Sequence, residues 1–223
     1  MKHLAVIMDG NGRWAVNKGQ NRSQGYRYGA EALVRLLEDF LTLPLSVLTV
    51  YAFSTENNTR DNEEVSNIYS VIASFLLNRV FPFCKENDVA LRFIGDLDGL
   101  PAQVKEVVEK TTICDGKKTF VIALNYGGLD EVCRTVNKLL AEKRVSITGK
   151  EFLSELDTGR LPPPDAVVRY GGHKRLSNFL PLQCAYSELF FIDKFWPDYE
   201  RKDIETILDE FLNIKRNFGG NNA

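Results

Sequence analysis

The sequence predicts an α/β protein built on a mainly parallel sheet. Three observations carry that prediction. Short apolar runs alternate with segments of helical period along the chain. Several of those runs end in polar loops, where an open parallel sheet holds its ligands. The 223 residues, 44 % hydrophobic and 26 % charged, make one domain that can bury a full core. No internal repeat, low-complexity tract or linker divides it, so a single domain spans residues 1–223.

The elements follow in order. Leu4 to Met8 is an apolar run and reads as a buried strand. Asp9, Gly10, Asn11 and Gly12 form a sharp turn after it, with Arg13, Trp14 and Ala15 leading towards a helix. Arg22 to Tyr28 reads as a polar loop. Tyr28, Ala32, Leu33, Leu36, Leu37, Phe40 and Leu41 then recur at helical spacing until Pro44. Val47 to Phe53 is a second buried strand, ending in the polar loop Ser54 to Arg60. A long helix starts near Glu63, with Ile68, Ile72, Phe75 and Leu76 on its apolar face. Val89 to Ile94 is a strand, and Pro101 opens a helix that ends near Ile113. Thr119 to Leu124 is a strand, closed by Asn125 to Gly128, and Leu129 to Leu140 is helical. A short helix over Gly149 to Leu156 precedes the rigid Leu161 to Pro164 connector. Ala166 to Arg169 and Leu189 to Ile192 are the last strands, with Glu188 at the start of the latter, and Asp203 to Lys215 is the closing helix.

Composition excludes several classes. A net charge of −2 gives no basic field for nucleic acid. The cysteines Cys84, Cys114, Cys133 and Cys184 include no C-x-x-C pair, and His3 and His173 are the only histidines, which argues against structural zinc and fits a reducing cytosol. Strand-like residues begin at Leu4 with no basic leader, so no signal peptide is expected. No apolar run approaches the ~18 residues of a membrane span.

The polar loops are expected to converge at one sheet edge. They carry Asp9, Asn11, Arg13, Arg22, Ser54, Asn57, Arg60, Arg169, Arg175, Ser177 and Glu188. Five arginines grip phosphate oxygens through paired donors, and two carboxylates among them either form salt bridges or share Mg²⁺. Gly10 to Ala15 also matches the G-x-G-x-x-A dinucleotide fingerprint. That motif wants an acid ~20 residues on, after a second strand. Here the second strand ends near Phe53, too far along, and Asp9 stands where a pyrophosphate needs donors. A polyphosphate site fits the residues better.

Six spaced motifs resemble one family. They are His3 to Ala15 (HLAVIMDGNGRWA), Arg22 to Gly25, Tyr51 to Asn57 (YAFSTEN), Asn125 to Gly128, Arg175 to Phe179 (RLSNF) and Ala185 to Leu189 (AYSEL). With them the chain resembles the cis-prenyltransferases, the family of undecaprenyl diphosphate synthase, from His3 to Gly220. The resemblance implies a six-stranded, mainly parallel sheet surrounded by helices, an apolar tunnel and a homodimer. It implies Mg²⁺-dependent addition of isopentenyl diphosphate to an allylic diphosphate such as farnesyl diphosphate, with Z double bonds, towards a polyprenyl cell-wall lipid carrier. It implies a cytoplasmic enzyme that touches the membrane transiently to deliver its product.

By the same resemblance, Asp9 binds Mg²⁺ and is needed for catalysis. Gly10, Asn11, Gly12, Arg13 and Arg22 cradle the allylic diphosphate, Asn11 helps deprotonation and Trp14 neighbours the substrates. Ser54, Asn57 and Arg60 belong to a loop that closes over the substrates. Arg169, Arg175 and Ser177 bind isopentenyl diphosphate, and Glu188 helps organise the metal. This chain departs from the family pattern at Tyr26, Asn58, Tyr170, His173 and Lys174. Tyr26 replaces a histidine and stands near the diphosphates. Tyr26 and the Gly-Gly-His-x-Arg run also resemble an irregular, lavandulyl-type branch that joins prenyl units head to middle. The family's catalytically silent subunits lack the aspartate that Asp9 supplies here.

Overall fold

The computed structural model describes residues 1–159 and 161–215. The end of the resemblance at Gly220 lies outside them. The six expected strands form one sheet of order β3-β4-β2-β1-β5-β6, every pair parallel. The strands are β1 (His3–Ile7), β2 (Val47–Ser54), β3 (Val89–Ile94), β4 (Lys118–Tyr126), β5 (Ala166–Arg169) and β6 (Glu188–Phe191). β1, β4 and β5 are buried almost throughout, which is why they read as continuous apolar runs rather than alternating ones.

The helices in chain order are α1 (Asn11–Asn17), α2 (Arg22–Thr42), α3 (Asn62–Phe75), α4 (Phe81–Glu86), α5 (Ala102–Thr111), α6 (Gly128–Ala141), α7 (Gly149–Glu155) and α8 (Arg201–Leu212). One sheet face and α2, α3, α5 and α8 share a core that includes Leu36, Phe40, Phe53, Leu91 and Ile204. Each such fully buried side chain contributes about 1.5–3 kcal/mol. The other face packs Ile7, Val121, Tyr126, Phe179 and Leu180 into a smaller cluster.

Two polar segments are helical where the sequence suggested turn or loop. Arg22 to Tyr28 forms the first turns of α2. Asn21 caps it: its side chain accepts from the Gln24 N–H while the Gln24 side chain accepts from the Asn21 N–H. Asn11 and Gly12 likewise open α1, with Gly10 (φ 102°) as the left-handed residue that turns β1 into it. A π-helical turn, Leu76–Val80, joins α3 to α4. The resulting Asn62–Glu86 helix is long and apolar enough to span a membrane by length and composition, although its Ser, Asn and Arg residues break any continuous apolar run.

The sheet order places one reversal. The chain leaves β1 towards β2, β3 and β4 on one side, then returns past β2 and β1 to β5 and β6 on the other. β1 and β5 are therefore neighbours at the topological switch point, and a crevice opens beyond their carboxyl ends.

Candidate active site

At that crevice Asp9, just after β1, meets Arg169, the last residue of β5. Arg169 Nη2 donates to Asp9 Oδ2 at 2.8 Å. Its Nη1 donates to the Arg175 carbonyl at 2.6 Å and to Ser177 Oγ at 2.7 Å. Arg169 is only 5 % exposed, so its charge is held by this bonding rather than by water. Arg13, one helical turn beyond Asp9, adds an ion pair at 3.2 Å to Asp9 Oδ1. Burial pushes the Asp9 carboxyl up, but the hydrogen bond and charge of Arg169, with the charge of Arg13, outweigh it and hold Asp9 below the usual range.

The arginines keep unused donors. Arg13 Nη2 and Arg169 Nε are buried without a hydrogen-bond acceptor. The Arg13–Asp9 contact is close enough for an ion pair but too poorly aligned to count as a hydrogen bond. Buried donors left open at the wall of a cleft suit an incoming anion.

The cleft has a volume of about 600 Å³. Of the expected residues, Asp9, Gly10, Asn11, Gly12, Arg13, Arg22, Tyr26, Ser54, Asn57, Arg60, Arg169, Arg175 and Ser177 all line it. Ser54 caps the 3₁₀ turn Thr55–Thr59, and its N–H donates to Asn57 Oδ1 at 3.2 Å, which ties those two residues together. Ser177 and Asn178 both adopt left-handed backbone (φ 50° and 62°), which bends the chain back towards Arg169.

Two expected residues stand elsewhere. Trp14 is not in the cleft wall; its indole Nε1 donates to Asp198 at 2.7 Å and its ring tilts against Tyr28. Glu188 begins β6, opposite Ala166, which in turn pairs with Leu4. It is therefore level with the starts of the strands, at the opposite sheet edge from Asp9. Within this chain it stands apart from the residues at the strand ends.

The sequence reading also missed contributors. Glu56 lines the cleft and accepts from Ser54, Thr55 and, at 2.7 Å, Asn178. Burial raises its carboxyl, yet the hydrogen bonds from Ser54 and Asn178 bring it below the ordinary value. His173 lines the cleft too, and the positive charge of Arg175 pushes its imidazole down. Of the other departures, Tyr170 is fully buried, edge-on to Trp196, and donates to Asp203 at 3.2 Å. Asn58 donates to Asn125 Oδ1 at 3.0 Å. Both are structural contacts.

Beside the polar cleft lies an apolar pouch of about 90 Å³, walled by α2, α3 and the π turn through Leu33, Ile72, Phe75, Leu76 and Val80. Ile72, Phe75 and Leu76 belong to the apolar face of the long helix. A family model described as “Putative undecaprenyl diphosphate synthase” matches residues 7–219. The chain belongs to the undecaprenyl diphosphate synthase family. It is a prenyltransferase. Among curated relatives, the isoprenyl transferase of Treponema denticola is 37 % identical over 98 % of this chain and 97 % of its own length. That of Clostridium acetobutylicum is 40 % identical over 98 % and 90 %. Two solved structures share the fold. Lavandulyl diphosphate synthase from Lavandula x intermedia, in complex with dimethylallyl diphosphate, superposes with a TM-score of 0.90 at 26 % identity, and 98 % of each chain is covered. A probable undecaprenyl diphosphate synthase from Campylobacter jejuni superposes with a TM-score of 0.80 at 33 % identity, again over 98 % of each chain. Prenyltransferases of this family act on isoprenoid diphosphate substrates.

Proposed function

We propose that this prenyltransferase condenses isopentenyl diphosphate with an allylic diphosphate such as farnesyl diphosphate, releasing diphosphate and forming Z double bonds in a growing polyprenyl chain for a lipid carrier. The observation that carries this reading is the junction of a five-arginine cleft with an apolar pouch. Two diphosphates need the first, and an allylic tail needs the second.

In this reading Gly10, Asn11, Gly12, Arg13 and Arg22 hold the allylic diphosphate, with its carbon chain entering the pouch. Arg169, Arg175 and Ser177 hold isopentenyl diphosphate. Ser54, Asn57 and Arg60 cover both from the end of β2. As the allylic C–O bond breaks, the arginines stabilise the charge that gathers on the departing diphosphate. The isopentenyl double bond supplies the electron pair for the new C–C bond. The apolar pouch keeps water from the developing cation.

The residues at Asp9 fit Mg²⁺ that arrives with a diphosphate. Asp9 offers one partly exposed carboxylate at the cleft wall. Among the described residues no group of three or more His, Cys, Asp and Glu could cage a metal ion. That donor set matches Mg²⁺, which commonly takes one or two carboxylates and fills its shell with phosphate oxygens and water. When bound, it supplies positive charge against the leaving diphosphate.

A homodimer is part of this proposal. Leu129, Val136 and Leu140 fall on one face of α6 and are exposed, and Leu182, Tyr186 and Leu189 near β6 are exposed as well. The reaction is assigned to the cytoplasm, with transient membrane contact as the lipid product leaves.

A second reading is irregular, head-to-middle condensation of two allylic units. It is favoured by the lavandulyl synthase superposition and by Tyr26 and His173 in the cleft wall. One assay separates the two. Purified protein with Mg²⁺ receives dimethylallyl, geranyl or farnesyl diphosphate, each with and without labelled isopentenyl diphosphate. Label in a Z-prenyl chain is the expected result, and a branched product formed without isopentenyl diphosphate would replace it with the second reading. Asp9→Ala is expected to abolish turnover with an unchanged circular dichroism spectrum; near-normal turnover would remove Asp9 from the mechanism.

A further inference from the structure

The condensation leaves a proton to be removed, and the wall between cleft and pouch holds one group wired to take it. This inference rests on the condensation proposed above. An allylic carbon bears a diphosphate on one side and an apolar chain on the other. The reacting carbons therefore belong at the boundary of the two compartments. Five residues line both: Met8, Asn11, Tyr26, Ala52 and Ile68. Three are apolar. The carboxamide of Asn11 is too weak a base at ordinary pH to hold a proton. Tyr26 alone is bonded to a carboxylate: its hydroxyl donates to Glu64 Oε1.

We propose that Tyr26 and Glu64 act together as the proton acceptor of the condensation. The C–H bonding pair next to the cationic carbon becomes the new double bond. Its proton passes to Tyr26 Oη, while the hydroxyl proton of Tyr26 passes to Glu64. One C–H bond is lost and one carboxylic O–H is gained; the tyrosine ends unchanged, and Glu64 returns its proton to water after product leaves.

The surroundings agree with that path. Arg60 Nη1 donates to Tyr26 Oη at 3.0 Å and to Glu64 Oε1 at 3.2 Å, so it fixes both oxygens and leaves the phenol a further lone pair. Burial, then the bond to Glu64, pushes the Tyr26 hydroxyl above its ordinary value, so the resting group is a neutral phenol. The other carboxylates of the cleft are less available. Asp9 is ion-paired to two guanidinium groups, and Glu56 is tied to Ser54, Thr55 and Asn178, away from the pouch.

The test uses isopentenyl diphosphate carrying two deuterium atoms at C2, with wild type, Tyr26→Phe and Glu64→Gln. Both variants keep the shape of the side chain, and thermal unfolding checks their folds. Each is expected to lower kcat about 100-fold, within the usual range for a lost proton acceptor, with KM for both substrates little changed. The deuterium effect on kcat is expected to rise in both, because proton loss becomes the slow step. A variant that keeps its kcat, or loses it with an unchanged deuterium effect, overturns the proposal and returns the proton to the leaving diphosphate. Failure of the wild type to incorporate isopentenyl diphosphate at all would instead overturn the condensation, and is seen before any variant is made.

Discussion

His3 donates from Nδ1 to the Pro162 carbonyl at 2.7 Å, so its Nε2 is left to accept from the Thr49 hydroxyl at 2.8 Å. It is held neutral in one tautomer. Burial pushes its imidazole down to about 4, against smaller raising effects of Pro162 and Asp165. The unfolded chain takes up that proton near pH 6.5, the folded chain only near 4. Below 6.5 the unfolded state binds more protons, so stability falls with pH until both states are protonated. The loss attributable to His3 is about 3 kcal/mol between pH 7 and pH 4, at 1.36 kcal/mol per unit of difference. Urea midpoints across that range will show it, and His3→Gln is expected to flatten the curve. At this scale the sequence was legible where a residue's place in the cleft follows from its position at the end of a strand, as for Asp9 and Arg169. Glu188 has an intact motif but opens a strand that runs the same way as all the others, so within this chain it stands away from Asp9. Glu64 was invisible, because its importance comes from a partner 38 positions away.

A pair of glycines one turn apart seats the first short helix. A side chain at Gly25 would collide with the Asn11 carbonyl, and one at Gly29 with the Asn11 carboxamide. α1 thus lies directly on α2, and the Asn11 amide is wedged with its Oδ1 buried and unpartnered. The two positions are expected to behave differently. Gly25→Ala presses on backbone and should cost about 1–3 kcal/mol in stability, read as a lower Tm. Gly29→Ala presses on a side chain that can rotate; it should lower kcat by displacing Asn11, with a smaller change in Tm. Element by element, β3 and β5 match the bounds read from the sequence, because hydrophobic runs end sharply at buried strand ends. The opening of α2 does not, because its polar surface resembles a loop. The Asn21-x-x-Gln24 spacing was the available signal, a capping box with asparagine in the place of serine. The start of α1 was hidden in the same way: Gly10 and Gly12 read as one turn, whereas only Gly10 turns the chain and Gly12 lies inside the helix.

Across the molecule, six parallel strands with one reversal bring thirteen of the expected site residues to a single cleft. Ten of them were legible in the polar loops between strands and helices; Gly10, Gly12 and Tyr26 came from the family resemblance. The pouch was implied only by the family resemblance, since core and ligand wall present the same apolar stripe on a helix until empty space is seen between them. The proposed dimer belongs to this scale. Leu140→Lys puts a charge in the exposed row of α6 and is expected to shift the protein from dimer to monomer in sedimentation, whereas an unchanged mass would place any interface elsewhere. The shared wall between cleft and pouch has a consequence for anyone redesigning the enzyme. Met8, Ala52 and Ile68 border both compartments, so head-group grip and tail fit are not separate dials. A substitution chosen to admit a bulkier hydrocarbon there also redraws the rim of the anion cleft, and selection for one trait will drag the other with it. Independent tuning has to begin deeper, at Phe75, Leu76 or Val80, which border the pouch alone.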